Sequence, residues 1–207
     1  YYLVGKIGMD SDAGWVATID GRTGDVFVHR FIYEPDKEYP DGSSVEFWHN
    51  GKGSIYAYNK KMEMPDNPKE NPYVFESEIL SPFARLEPGQ SYTWNYEWFA
   101  TQVGGEYPIL DCTGLGVTCQ PLQASKIDNE ILLEGRFGVF YQGSLVVHYL
   151  DTAGKQIHKE VLVAKVSPLK ACVLSHAVRD IPNTAYLSLR LYDKSGRDLG
   201  QLAKISL

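Results

Sequence analysis

Long hydrophobic runs are missing from this sequence, and so is helical periodicity. No apolar stretch approaches the roughly 18 to 20 residues that a membrane-spanning helix needs, so no membrane span is predicted. Apolar residues at the helical spacing i, i+3, i+4 are also nearly absent. Hydrophobic residues nevertheless make up 43% of the chain and charged residues 22%, which is typical of a folded globular protein rather than a disordered one.

Basic charge is scarce in the first half of the chain. Residues 1–104 hold 9 Lys and Arg against 16 Asp and Glu, whereas residues 105–207 hold 11 against 10. Nonspecific affinity for nucleic acids comes mainly from Lys and Arg, and neither half has a basic stripe, so no nucleic-acid partner is predicted. Aromatic residues are also unevenly divided, since 19 of the 26 lie in residues 1–104. The two halves are therefore expected to have different roles.

Cysteine and histidine are few, and their spacing fits no zinc site. Cys112 and Cys119 flank the segment TGLGVT; they either close this loop as a disulfide or remain two unpaired thiols, with Cys172 left over in both cases. The five histidines are scattered, and there is no His-Glu-x-x-His, no Gly-x-Ser-x-Gly and no phosphate-binding glycine loop. The segments DSDAG and DGRTGD lack the closing Glu of a calcium loop and are interpreted as turns. No metal site and no cofactor are predicted.

Short apolar or alternating runs bounded by Gly, Pro, Asn and Asp recur about every ten residues, which predicts an all-β protein. The segment 57–72 has three prolines and no periodicity, and is predicted to be a long loop that rims a site. The predicted strands are 3–8, 15–19, 25–33, 44–49, 73–86 with a break near Pro82, 91–101, 130–140, 144–151, 156–163, 170–176, 185–192 and 199–205.

Two similar turns in the second half, in HYLDTAGKQI and RLYDKSGRDL, place Asp and Gly between β runs and suit short hairpins. With about seven strands in a hundred residues, they predict an immunoglobulin-like or fibronectin-like β-sandwich over residues 126–207. Residues 1–104 form the other predicted domain. The Gly- and Pro-rich segment 105–125 is predicted to be a linker.

Acidic residues on aromatic strands are the candidate functional residues. Glu76 and Glu78 in YVFESEIL share one face of a strand, because side chains alternate, and Glu46 lies in SSVEFWHN. Carboxylates accept hydroxyl protons or act as general bases, and aromatic rings stack on sugars, so these residues suit a sugar site. The alternative is a solvated acidic face on an antiparallel sheet.

A longer pattern of motifs runs through the first half: GWVATI, DVFVHRF, EYPDGSSVEFWHN and YVFESEILSPFARLEPGQSYTWNYEWF. It resembles the C-terminal part of the galactose mutarotase-like supersandwich superfamily, which includes aldose 1-epimerases, and is most similar to an uncharacterised bacterial branch. The resemblance implies that Glu76 is the general base acting on the anomeric hydroxyl. Glu46, Trp48, His49 and Glu78 are then sugar-binding candidates at the rim. A secreted protein, periplasmic or extracellular, is expected.

The resemblance covers residues 3–101, and no histidine here matches the catalytic histidines of the family. Since ring opening needs an acid as well as a base, the expected function is carbohydrate binding, with epimerase-type chemistry only when upstream strands are present. The alternative is a non-catalytic structural or assembly protein. Another chain, or an N-terminal segment preceding YYLVGKIG, is then expected to complete the sheet. A lyase or hydrolase accessory domain would need a basic or metal-assisted site that the sequence does not offer.

Overall fold

A computed structural model describes residues 3–207 and is all-β, as predicted. Apart from the short 3₁₀ turn Pro40–Gly42, these residues form strands, turns and irregular segments. Within the described range, no helix is long and apolar enough to cross a membrane. The described strands are β1 Gly5–Met9, β2 Trp15–Ile19, β3 Asp25–Phe31, β4 Val45–His49, β5 Gly53–Ala57, β6 Lys60–Met64, β7 Phe75–Ile79, β8 Tyr96–Gln102, β9 Asp111–Cys112, β10 Gly116–Ile127, β11 Glu130–Val139, β12 Gly143–Leu150, β13 Val161–Val166, β14 Cys172–Arg179, β15 Tyr186–Asp193 and β16 Asp198–Ser206.

The chain divides into two compact units. The first contains residues 3–18 and 28–98, and the second contains residues 19–27 and 99–207. In the first unit, β1, β4 and β7 form an antiparallel sheet in the order β1-β4-β7, and β5 and β6 form a hairpin. A further sheet has the order β2-β3-β8.

The core of the first unit is built by strand alternation. Val45 is fully buried and packs with Val16 and Phe31, and the partly buried Phe47 and Ile79 extend this cluster. Val45 and Phe47 are two residues apart on β4, so both side chains lie on the same face of the sheet. The residues between and after them therefore lie on the opposite face.

The second unit has the character of a β-sandwich. One sheet has the order β14-β11-β10-β9 and the other the order β13-β12-β15-β16. Leu133 and Phe137 from the first sheet and Leu145, Tyr149 and Leu189 from the second are fully buried members of one apolar cluster. On β15 the buried Leu187, Leu189 and Leu191 alternate with Ser188 and Arg190, the pattern that two packed sheets require.

The prediction of a linker at residues 105–125 is wrong. Segment 105–125 contains β9 and most of β10, a 12-residue strand that pairs with both β9 and β11. Its Val117 is fully buried. The Gly and Pro residues that suggested a linker instead accompany a short β9–β10 connection and a strand with irregular register, since the β10–β11 pairing shifts on both sides of Gln120.

The cysteines are all buried, and Cys112 and Cys119 are not joined by a disulfide. The β9–β10 register places Val117, rather than Cys119, opposite Cys112. The loop TGLGVT is closed by backbone hydrogen bonding instead, because Thr113 N donates to Gly116 O at 2.9 Å.

Candidate functional site

Three strands of the first unit present one face that carries most of the predicted site residues. In the β1-β4-β7 sheet, Glu46 lies directly opposite Glu78, and Trp48 lies opposite Glu76. On the other side of β4, Lys6 is opposite Trp48. Because side chains alternate along each strand, these five side chains lie on the face that points away from Val45 and Phe47.

An ion pair between the partly exposed Lys6 and the buried Glu46 forms the floor of this face. Lys6 Nζ lies 2.8 Å from Glu46 Oε2 and 3.2 Å from Asp41 Oδ2, and the Glu46 side chain is only 7% exposed. The hydrogen bond to Glu46 raises the pKa of Lys6, and that to Asp41 adds to the effect against the opposing influence of burial. Lys6 is therefore a fixed cation that is already shared between two carboxylates.

Glu76 and Glu78 are further acidic groups on the same face. Partial burial raises the pKa of Glu78, and the charges of Glu76 and Glu46 add to this effect. Among the described residues, neither Glu76 nor Glu78 forms an ion pair. Like charges placed directly across a β ladder are unfavourable, so the Glu46–Glu78 pairing is an arrangement that packing and stability alone do not favour.

The β5–β6 hairpin borders this face with a two-residue turn. Both turn residues have positive φ, 52° at Tyr58 and 59° at Asn59, as a type I′ turn requires. Asn tolerates this conformation, but a Tyr there costs about 1–2 kcal/mol. The Tyr58 side chain is nevertheless 85% exposed. Backbone strain with no compensating burial is a feature that occurs at functional sites.

The sheet face and the hairpin together line a cavity of about 620 Å³ that is open to solvent. This volume is within the range of small-molecule sites. Trp48 is held in place by a 2.7 Å hydrogen bond from its Nε1 to Asn50 Oδ1, and Tyr56 is 71% exposed. The lining residues are Lys6, Asp41, Glu46, Trp48, Tyr56, Ala57, Tyr58, Asn59, Glu76 and Glu78.

Of the five predicted site residues, the structure brings Glu46, Trp48, Glu76 and Glu78 to this cavity and places His49 elsewhere. His49 follows Trp48 and therefore points to the other face of the sheet. A Cβ on Gly5 would lie 2.7 Å from His49 Nε2, so the imidazole lies directly against Gly5. Its Nδ1 is buried and has no hydrogen-bond partner within the described part of the chain.

Sequence reasoning missed six of the ten lining residues: Lys6, Asp41, Tyr56, Ala57, Tyr58 and Asn59. The hairpin lies partly in segment 57–72, which was predicted to be a loop, although its predicted position at a site rim agrees with the cavity. The two residues Tyr58 and Asn59 between the runs GSIYA and KKMEM could have indicated a two-residue hairpin turn. Lys6 could not be assigned without the β1–β4 register, which the sequence does not specify.

Comparison with known proteins gives no relative: no family model, no curated protein and no solved structure matches the chain.

Chemically, the cavity offers hydrogen-bond acceptors, aromatic ring faces and one amide. Carboxylates accept hydrogen bonds from hydroxyl and ammonium groups, and Asn59 can both donate and accept hydrogen bonds. Glu76 and Glu78 also form a pair of neighbouring carboxyl groups, and the charge of Glu76 adds to the effect of burial in raising the pKa of Glu78. Such a pair can supply an acid and a base at adjacent positions.

Proposed function

We propose that this chain binds carbohydrate in the cavity between the β1-β4-β7 sheet and the β5–β6 hairpin. The observation that supports it is the convergence of Trp48, Tyr56 and Tyr58 with Glu76 and Glu78 around one opening of about 620 Å³. Pyranose rings have an apolar face that stacks on aromatic rings and hydroxyl groups that donate to carboxylates.

The resemblance to mutarotase-like proteins adds to this proposal, because the motifs that support it place Glu76 at the general-base position. In that interpretation Glu76 takes the proton from the anomeric hydroxyl. The second carboxyl group, Glu78, has a raised pKa and so retains a proton to higher pH than an ordinary glutamate. Binding is the function proposed here, and epimerase-type turnover is a separate outcome of the same experiment.

Titration of glucose, galactose and neutral oligosaccharides by isothermal calorimetry tests the proposal, with NMR of anomer exchange as the assay for turnover. We expect millimolar to micromolar binding that Trp48→Ala and Glu76→Gln each weaken by about tenfold or more. Glu130→Gln, on an exposed position of β11, is the matched control and should leave binding unchanged. Absence of binding to every sugar, or equal binding by Trp48→Ala, would contradict the proposal.

For the second unit we infer an immunoglobulin-like or fibronectin-like sandwich. Apart from the two-residue strand β9 at its edge, one sheet consists of β14, β11 and β10, and the other consists of β13, β12, β15 and β16. This is the partition expected when three strands of such a sandwich face four, with consecutive strands β11 and β12 in different sheets. A scaffold function for this unit is consistent with the fold alone.

A non-catalytic structural or assembly protein is the second candidate, favoured by exposed apolar residues on the outer strands of the β1-β4-β7 sheet. Ile7 is 60% exposed and Phe75 48% exposed, although both lie on the same face as the core residue Val45. Another chain packing there would bury them. Ile7→Lys should then abolish an association detected by analytical ultracentrifugation with a partner or a second copy, and should leave sugar binding intact.

A further inference from the structure

The cavity has an excess of negative charge. Of its lining residues, four are acidic (Asp41, Glu46, Glu76 and Glu78) and one is basic. The basic residue, Lys6, is already within 2.8 Å of Glu46 and 3.2 Å of Asp41, so these three groups largely satisfy one another. Glu76 and Glu78 remain without a cationic partner among the described residues.

The hairpin supplies no compensating cation to the cavity. Its lining residues Tyr56, Ala57, Tyr58 and Asn59 are uncharged. Lys60 and Lys61 follow the turn but do not line the cavity, and Lys61 Nζ lies 2.7 Å from Glu63 Oε1. A ligand entering the cavity therefore meets carboxylates on the sheet side and neutral aromatic groups on the hairpin side.

The arrangement suits an organic cation. Within residues 3–207, no three Asp, Glu, His or Cys side chains converge as the ligands of one metal ion would. The carboxylates instead lie along the sheet beside Trp48, with two exposed tyrosines at the rim. Aromatic faces attract an ammonium group as well as stacking on a ring, and a carboxylate accepts its hydrogen bonds.

We propose that the cavity selects sugars that carry a protonated amino group, 2-amino-2-deoxyhexoses and their oligomers, over neutral sugars and against uronic acids. This deepens the proposed function and rests on it. The ammonium group lies at Glu76 and Glu78, and the ring stacks on Trp48. A uronate carboxylate in the same position would face two carboxylates that form no ion pair within residues 3–207, so charge repulsion excludes it.

Calorimetric titration with four probes tests the proposal: glucosamine, glucose, N-acetylglucosamine and glucuronate, at pH 6 and low salt. N-acetylglucosamine keeps the ring but loses the charge, which makes it the matched control ligand. We expect glucosamine to bind about tenfold tighter than glucose or N-acetylglucosamine, as one moderately screened ion pair would provide, and glucuronate to show no binding. Raising the salt concentration should reduce the glucosamine advantage and leave the glucose affinity unchanged.

Substitution of Glu78 tests whether its carboxyl group is responsible for the preference for glucosamine. Glu78→Gln should lower the ratio of glucosamine to glucose affinity by several-fold, whereas Glu130→Gln should leave that ratio unchanged. Thermal unfolding of each variant verifies its fold, and the salt dependence of the unmodified chain provides a measurement that needs no variant. Equal affinity for glucosamine and glucose, or preference for glucuronate, overturns the amino-sugar specificity while the proposed carbohydrate function stands. If none of the four probes nor any neutral oligosaccharide binds, both fail.

Discussion

At the residue scale, the ion pair between Lys6 and Glu46 forms part of the cavity floor. The Glu46 side chain is 7% exposed and the Lys6 side chain 38% exposed. Loss of the ion pair should therefore cost more when Glu46 remains than when Lys6 remains. A buried carboxylate without its partner is costly, and a partly exposed ammonium group can recover water. The two partners should therefore respond differently to substitution.

Lys6→Met is expected to lower the free energy of unfolding by about 1–3 kcal/mol, because it leaves the buried Glu46 side chain without its hydrogen-bonded partner. Glu46→Gln should cost less, since Lys6 keeps Asp41 at 3.2 Å. Chemical denaturation of both single variants and the double variant measures the coupling. The control Lys155→Met, in an exposed hairpin turn, should change stability little. A fully additive double variant would contradict this account of the pair.

Glu78 predicts a pH dependence of stability. Its ordinary pKa of 4.5 is raised in the folded chain by partial burial and by the charges of Glu76 and Glu46. A raised carboxyl pKa means that the folded state binds the proton more tightly than the unfolded state. The resulting contribution to stability is fully present below about pH 4.5 and is lost as the pH rises through the folded pKa.

Glu78→Gln removes this loss, so the variant should gain stability relative to the unmodified chain between pH 4 and pH 7. Thermal unfolding midpoints measured at half-unit pH intervals give the comparison. Glu130→Gln should show no such gain. A constant difference between Glu78→Gln and the unmodified chain at every pH would show that the carboxyl group titrates normally.

At the element scale, the β5–β6 hairpin has an exposed aromatic residue, Tyr58, at a turn position where it lowers stability. Asn at the first turn position and Gly at the second suit a type I′ turn, and this hairpin has Tyr58 and Asn59 there. The double substitution Tyr58→Asn with Asn59→Gly should raise the free energy of unfolding of the first unit by about 1 kcal/mol. It should also weaken sugar binding, because the ring is lost.

Asn59→Gly alone separates the two effects. It retains both the Tyr58 ring and the positive φ at Tyr58, so it should change the unfolding midpoint little and keep the part of the sugar affinity that the ring provides. Differential scanning fluorimetry and calorimetric titration of the two variants measure both quantities. A double variant no more stable than Asn59→Gly would show that the positive φ at Tyr58 carries no strain.

The same elements show what the sequence can and cannot specify. Alternation predicted the shared face of Glu76 and Glu78, because it depends only on neighbours along one strand. The cavity also needs the register that places Trp48 beside Lys6 and Glu76, which is fixed by pairing between segments about 30 to 40 residues apart in sequence. Segment 105–125 was wrongly predicted as a linker, because Gly and Pro density does not distinguish a linker from an irregular strand.

At the scale of the whole molecule, the two units differ in the extent of their cores. The cluster of the second unit runs through both of its sheets and includes Phe137, Tyr149 and Leu189, all fully buried. The cluster of the first unit centres on Val16, Phe31 and Val45, with partly buried residues around it. Strands with fewer buried apolar contacts open more readily.

Native-state hydrogen exchange should therefore show stronger amide protection in β11, β12 and β15 than in β1, β4 and β7. Mass spectrometry of peptic fragments resolves these strands. Saturation with a bound sugar should raise protection in β4 and β7 and leave β12 and β15 unchanged, because a ligand stabilises the state to which it binds. Equal protection of the two sets in the absence of ligand would contradict the difference in core extent.

The alternation of core and cavity residues along β4 limits which mutations this site tolerates. Val45 and Phe47 belong to the core, and Glu46 and Trp48 between and beside them line the cavity. Inserting or deleting a single residue there would exchange the two sets, turning a carboxylate inward and a phenyl ring outward. The ligand preference can therefore diverge by replacing side chains one at a time, while indels in this strand are eliminated by their effect on folding.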